Sequence, residues 1–350
     1  MNNNSNSDFK IVDASALPNF ISVGPANLKE KIYAQVGSDL VRIEEEINRL
    51  LDSDIPLISV VGRYITGSGG KRLRPLLMVL CSRLCGYKGG GDVRLAVVFE
   101  FVHAATLLHD DVVDHAELRR SCPAANTLWG NPAVVLVGDF LYSRSIQIAV
   151  EYQDVRILQV LLDATTRMSE GEVLQLVNSD NLEISEGEYL EVINRKTAAL
   201  IAAACQTGAL FGGGGADQEN ALKAYGQNLG IAFQLIDDSL DFTGEAEELG
   251  KPVGNDLQEG KATLPLIYAL RKAKGAERLR LRQIFTSETI APENVREIND
   301  IVAGSGGIEY TVGQAAAHSM RAKEALRIFP EGPMKEILLD IADYVTCRRA

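Results

Sequence analysis

Two groups of three aspartates share one spacing in this chain. Asp110, Asp111 and Asp114 lie in HAATLLHDDVVDHAELRR; Asp237, Asp238 and Asp241 lie in GIAFQLIDDSLDF. At about 100° per residue, the first and third members of each group stand one helical turn apart on one face, with the second beside them. Their Cβ atoms would be about 5–6 Å apart. Like charges at that spacing oppose a helix, and carboxylates turned toward a core are expensive to desolvate. Both groups interrupt otherwise apolar helical stretches, so something must neutralise them. Hard oxygen donors in this number suit Mg²⁺, which takes one or two carboxylates, keeps waters and accepts phosphate oxygens. A solvated acidic face would account for one such group. The same spacing twice on apolar helices argues against it.

Basic residues accompany the acids. Arg119 and Arg120 follow the first group, and Lys71, Arg72 and Arg74 follow the glycines of GSGGKRLRP. Lys196 and Thr197 sit in NRKTAAL, and Lys251 and Lys261 flank the loop GKPVGNDLQEGKATLP. Each alone reads as a surface charge. Beside the carboxylates, arginine forks and lysine point charges are what diphosphate oxygens require. The combination points to a metal-bridged diphosphate next to a second diphosphate held by cations alone. His103 lies seven residues before Asp110, within about 20° of the same face, and is a candidate diphosphate donor.

Other chemistries fit less well. Glu100 and His103 form a Glu-x-x-His pair, but a di-iron bundle needs a second pair. None of His109, His115 and His318 has a glutamate three residues before it. Cys81 and Cys85 share a helix face without further zinc ligands and read as buried small apolar groups. No nucleophile elbow, Walker loop or dinucleotide fingerprint is present.

The elements that must position these residues are helices. Three- and four-residue apolar spacing predicts them over 28–51, 93–118, 133–152, 155–177, 186–211 and 216–242. Shorter ones are expected at 265–274, 293–303, 310–328 and 334–347. Glycine- or proline-rich breaks separate them, and strand signals are scarce. No break is long enough for a domain linker. The expectation is a single all-α domain over 28–350, after a flexible N-terminal segment 1–27. With 350 residues, 46% of them apolar, the chain can bury a large core. Its net charge of −12 argues against a nucleic-acid partner. Five cysteines are too few for a disulfide framework and suit a reducing compartment. The start of the chain lacks a secretory or transit pattern, which favours a cytoplasmic location. The long uncharged stretch 198–216 reads as a buried helix running into a glycine loop, not a transmembrane span.

On these motifs the sequence resembles the trans-type (head-to-tail) polyprenyl diphosphate synthases. The resemblance runs from about Leu28 to the end. It is carried by GGKRLRP, LLHDDVVDHAELRR, GNPAVVLVGDFLY, SEGEVLQL, RKTAAL, GIAFQLIDDSLDF and GKPVGNDLQEGKATLPL. It implies a helical bundle around a deep central cavity, a homodimer and Mg²⁺ dependence, with three ions bound alongside the allylic diphosphate. By motif, all six aspartates would face those ions. Arg119, Lys196, Thr197, Gln234, Lys251 and Lys261 would hold the allylic diphosphate, with Lys196 also serving catalysis. Lys71, Arg74, His103 and Arg120 would hold isopentenyl diphosphate. One departure stands out: Ser121-Cys122 follows the arginine pair where the family usually has glycine.

Product length is expected from Ala105 and Thr106, five and four residues before Asp110. Short-chain members of the family carry an aromatic ring at one of these positions. Small side chains here imply a long all-trans product, destined for quinone side chains, with peripheral membrane contact for its release. The competing expectations are a farnesyl or geranylgeranyl diphosphate synthase and a non-catalytic subunit of a heteromeric synthase. A subunit of that kind tends to lose the acid motifs, and this chain keeps both.

Overall fold

Apolar residues spaced by three and four along Leu28–Leu50 form helix α1, which buries Leu28, Ile32, Leu40, Ile43 and Ile47. The structure, a computed structural model, describes residues 28–68, 70–120, 122–243, 254–287 and 290–347. After α1 come α2 (Pro56–Gly67), α3 (Leu73–Leu84), α4 (Asp92–Val113), α5 (Ala125–Trp129), α6 (Asn131–Glu151) and α7 (Val155–Val177). Then follow α8 (Glu186–Ile193), α9 (Ala199–Phe211), α10 (Ala216–Thr243), α11 (Asn255–Gln258) and α12 (Leu264–Lys272). The last are α13 (Gly275–Phe285), α14 (Pro292–Ser305), α15 (Gly307–Ala325) and α16 (Pro333–Cys347). One antiparallel pair, β1 (Leu118–Arg119) with β2 (Cys122–Pro123), is the only sheet among the described residues. The all-α class is as expected. The N-terminal segment lies outside the described residues.

Local chemistry sets many of the boundaries. Proline occupies the first turn of α2, α6, α12 and α14, where its missing N–H loses no helical bond. The Asp154 side chain accepts from Arg156 N–H to cap α7, and Ser185 with Glu188 forms a capping box on α8.

The centre of the molecule is α9, which is buried along nearly its whole length against α3, α7 and α10. Its alanines and glycines permit close approach. A Cβ on Gly208 would stand 2.5 Å from the Met78 carbonyl oxygen of α3. The uncharged stretch is thus a buried helix, as its composition indicated. On the other side, α4 packs along α6 and α3, and α10 packs along α15.

Three local expectations are corrected. The helix over 93–118 stops at Val113. Asp114 N–H still bonds the Asp110 carbonyl at 2.8 Å, but His115 turns left-handed (φ 51°) and the chain enters the β1–β2 hairpin. The helix over 186–211 is broken by a π-turn at Asn194–Ala198. Helices α2, α5, α11 and α13 were not anticipated, and α3 only in so far as Cys81 and Cys85 were given one helix face. Helix α3 is buried on most faces, so it shows no amphipathic period; α13 carries four charged residues among eleven and buries only Leu281, Ile284 and Phe285.

Helix α6 is long and apolar enough to cross a membrane by composition, but only 39% of its most apolar window is buried in the fold. Val135, Leu136 and Val150 on α6 are exposed, as are Val155, Leu162, Val173, Leu176 and Val177 on α7.

Candidate active site

The first acid group closes helix α4. Asp110 and Asp114 are partly exposed and Asp111 is buried. Three cations from separate elements meet them. Arg119 of the hairpin pairs with Asp111 through Nε. Lys196 of the π-turn comes within 3.9 Å of Asp110 Oδ2 and is bonded to Glu172 of α7 at 2.7 Å. Lys261 lies 3.3 Å from Asp114 Oδ2 and 2.6 Å from Glu259. Burial pushes the Asp110 carboxyl up to about 6, with Glu172 and Asp114 adding to the shift and Lys196 opposing it. Burial of Lys261 favours its neutral form, but Glu259 and Asp114 outweigh that and raise it.

The second group lies in the last two turns of α10. Its members differ from one another. Asp237 is partly exposed, while Asp238 and Asp241 are buried. Both oxygens of Asp238 are occupied: Gln234 Nε2 donates to Oδ1 at 2.7 Å and the Tyr189 hydroxyl of α8 donates to Oδ2. Thr197 donates in turn to Gln234 Oε1 at 2.9 Å. Burial pushes Asp238 up to about 8, with Asp256 and Asp237 adding. Asp241 Oδ2 accepts from the Asp256 N–H at 3.1 Å, which ties α10 to the start of α11. A cavity of about 150 Å³ opens between these elements, lined by Tyr189, Lys196, Thr197, Gln234, Asp238 and Lys261 among others.

A second, cationic region lies beside the first. His103 of α4 is held well below the ordinary histidine range by burial and then by Arg74, Arg120, Arg119 and Arg72. It is therefore a neutral donor or acceptor among guanidinium groups. Arg74 is pulled down to about 10 by burial, with Arg120 adding; Glu100 and Asp237 oppose this. Its Nε is buried without a hydrogen-bond partner. Burial lowers Arg120 as well, with Arg119 and Arg72 adding and Glu100 opposing. Arg72 itself is a structural residue: it bonds Glu44 at 2.6 Å, Glu100 at 2.7 Å and the Thr66 carbonyl at 2.7 Å, which anchors the glycine loop. Glu100 therefore serves Arg72 and not a metal pair with His103. Lys71 sits 5.5 Å over the Tyr344 ring of α16.

The donor set fits a hard divalent cation. Asp111 Oδ2 is buried with no hydrogen-bond partner, and burial, with neighbouring carboxylates adding, raises Asp110, Asp111 and Asp238. Among the described residues no three acidic or metal-binding side chains converge as a finished cage. Each group thus offers the one or two carboxylates that Mg²⁺ takes when phosphate and water complete its shell.

The fold brings Asp110, Asp111, Asp114, Lys196, Arg119 and Lys261 into contact, and joins Thr197, Gln234 and Asp238 in one chain of hydrogen bonds. Lys251 and Ser121 lie outside the described residues. Sequence reasoning missed Glu172, Glu259 and Tyr189 as partners. Glu172 and Tyr189 lie far in sequence from the groups they bond, so no local spacing signalled those pairings.

A buried helical bundle with two acid clusters beside unpaired arginines defines a prenyltransferase of the isoprenoid synthase type. The polyprenyl synthetase family model matches residues 55–302, and the chain belongs to that family. It is 40% identical to the octaprenyl diphosphate synthase of Haemophilus influenzae over 313 residues, covering 89% of this chain and 95% of that one. Among solved structures, a polyprenyl synthase from Caulobacter crescentus, complexed with calcium and isoprenyl diphosphate, superposes with a TM-score of 0.89. It is 40% identical and covers 92% of this chain and 98% of its own. A decaprenyl diphosphate synthase from Rhodobacter capsulatus gives 0.87 at 40% identity, with 91% and 98% covered.

Proposed function

We propose that this enzyme condenses isopentenyl diphosphate with an allylic diphosphate to make a long-chain all-trans polyprenyl diphosphate. The observation that carries the reading is the division of the site. One wall pairs carboxylates with Lys196, Lys261 and Arg119; the other gathers Arg74, Arg120 and a neutral His103 around a single glutamate.

In this reading all six aspartates face Mg²⁺, as the motifs imply, while Asp238 and Asp241 also brace the end of α10 through their bonds to Tyr189, Gln234 and the Asp256 N–H. Bound Mg²⁺ supplies positive charge against the oxygens of the allylic diphosphate. Lys196, Lys261 and Arg119 hold the same diphosphate and stabilise the charge it gains as the allylic C–O bond breaks. Thr197 and Gln234 line the same pocket, and Lys251 is assigned to it by motif. Lys71, Arg74, Arg120 and His103 hold isopentenyl diphosphate, so that its double bond can attack the allylic cation. The apolar walls exclude water that would trap the cation. The departing diphosphate takes the proton released in the last step.

Long-chain products are supported by the small Ala105 and Thr106 and by the octaprenyl and decaprenyl synthases among the relatives. The calcium in the Caulobacter structure supports a divalent cation. The exposed apolar faces of α6 and α7 support a homodimer, which sedimentation equilibrium would test: a monomer at working concentration overturns it. We assign the product to quinone side chains, with synthesis in the cytoplasm and release at a membrane surface.

The decisive experiment incubates the purified chain with isopentenyl diphosphate, each allylic starter and Mg²⁺, followed by product chromatography. Polyprenyl diphosphates beyond fifteen carbons are expected. Absence of diphosphate release, or products ending at the farnesyl stage, overturns the reading.

A further inference from the structure

Glu172 is a charged residue at the site that the reaction, as described, does not use. It stands on α7 beside the π-turn, 29% exposed at its side chain, and its carboxylate bonds Lys196 Nζ at 2.7 Å. Asp110 Oδ2 competes for the same ammonium from 3.9 Å, within ion-pair reach but beyond a hydrogen bond. Lys196 is thus shared unequally, and Glu172 has the larger share.

The backbone on both sides fixes this arrangement. Gly171 packs directly on the π-turn: a Cβ there would fall 2.5 Å from the Lys196 backbone nitrogen and 2.8 Å from Arg195 Cβ. Glu170 pairs with Arg195, whose Nε also bonds Glu191 at 2.6 Å. Three consecutive residues of α7 therefore grip two consecutive residues of the π-turn. A π-turn offsets the residues that follow it from the regular helical register, and such turns recur at functional sites. Here the grip leaves Lys196 on the cavity wall with Thr197 and Arg195 against Glu170 of α7.

Resting on the proposed function, we infer that Glu172 is a positioning residue that acts through Lys196. By holding the ammonium off Asp110, it leaves that carboxylate available to a divalent cation and keeps the lysine poised for diphosphate. Without Glu172 the four-carbon stem lets the ammonium settle on Asp110. A lysine in that place competes with the cation for the same oxygens.

The test is calorimetric and needs no turnover. Binding of inorganic diphosphate is titrated against Mg²⁺, at matched ionic strength, for wild type, Glu172→Gln, Lys196→Ala and the double variant. Circular dichroism checks that each is folded. Glu172→Gln is expected to raise the Mg²⁺ concentration for half-maximal diphosphate uptake about tenfold, a coupling of ordinary size for contacting charged groups. In the Lys196→Ala background the same substitution is expected to change it less than about twofold, because no ammonium remains to be held. An equal shift in both backgrounds means that Glu172 acts only through its charge, and overturns the inference. So does the absence of a shift in Glu172→Gln. A wild-type protein that takes up no diphosphate at any Mg²⁺ concentration overturns the functional reading itself, and this inference with it.

Discussion

At the scale of single residues, spacing singled out two groups of aspartates, and the fold sets Arg119, Lys196 and Lys261 against the first of them. What spacing could not supply was the difference between the aspartates. Asp238 is held by Tyr189 from another helix and Asp110 is crowded by Glu172 from a third. Such partners are distant in sequence and no local period records them. The distinction has consequences. Asp110→Asn removes a carboxylate that Glu172 and Asp114 repel, so the cation-free protein should melt no lower than wild type. Turnover should fall at least about 100-fold, the scale seen when a group stabilising developing charge is removed. Diphosphate release together with a thermal melt checks both halves, and near-normal turnover refutes the assignment. The two-pocket division is tested separately. Arg120→Ala should raise KM for isopentenyl diphosphate, and Lys261→Ala should raise it for the allylic substrate, each by about tenfold, as a lost charged hydrogen bond would. Equal effects on both substrates at both positions would refute the division.

At the scale of elements, a 3.6-residue period locates helices but is blind to how they are interrupted. The π-turn at Asn194–Ala198 leaves the flanking apolar pattern intact, so 186–211 read as one helix. The end of α4 was hidden for another reason: the left-handed residue there is His115, not the glycine that usually announces such a stop. Helix packing gives two predictions. Gly171→Ala would press a methyl group onto the π-turn backbone, an overpacking that costs about 1–3 kcal/mol. Denaturant unfolding should show that loss. Activity measured where the variant is fully folded should also fall, because Lys196 is displaced; unchanged stability and activity would show that the contact yields freely. The second prediction concerns α15 against α10. His318 Nδ1 lies 2.9 Å from Asn228 Oδ1, and Arg321 Nη1 lies 3.2 Å from Nε2. That geometry suits a neutral ring which donates from Nδ1 and accepts at Nε2. Burial, and then Arg321, pull His318 down to about 4. Its ordinary value is about 6.5, so the unfolded chain takes up the proton first as the pH falls. Stability from this group is complete above about pH 6.5 and is lost progressively toward pH 4. With a half-buried ring the discounted loss at pH 5 is about 1 kcal/mol. Between pH 7 and pH 5, wild type should therefore lose more stability than His318→Gln, which keeps a donor for Asn228. Equal losses would remove His318 from the account.

At the scale of the whole molecule, the all-helical class was legible because apolar periods of three and four recur through most of the chain. The partner of each apolar face was not. The faces of α6 and α7 look like core faces in sequence, yet the fold leaves them exposed. A period shows that a face needs cover but does not show what covers it. The same limit applies to the route that the proposed function assigns to the growing chain. Ala105 is buried and Thr106 partly so, the latter with its hydroxyl bonded back to the His103 carbonyl at 2.9 Å. Five residues before Asp110, Ala105 stands about 7.5 Å along the α4 axis from the carboxylates. Above it α4 continues with the larger Val102, Phe101 and Phe99, all buried. On the proposed function, a chain growing from the aspartates of α4 would pass two small side chains before it met these bulky ones. Ala105→Tyr and Thr106→Phe should thus cap the channel and shorten the product, with turnover roughly preserved because neither ring touches the aspartates. Stability separates the alternatives. A ring that enters an open channel should leave the melting temperature nearly unchanged, whereas one forced into a filled core should cost about 1–3 kcal/mol. Product chromatography and a melt on each variant are enough. If neither substitution shortens the chain, or if both destabilise the protein by that amount at unchanged product length, the growing chain takes a different route through the helices.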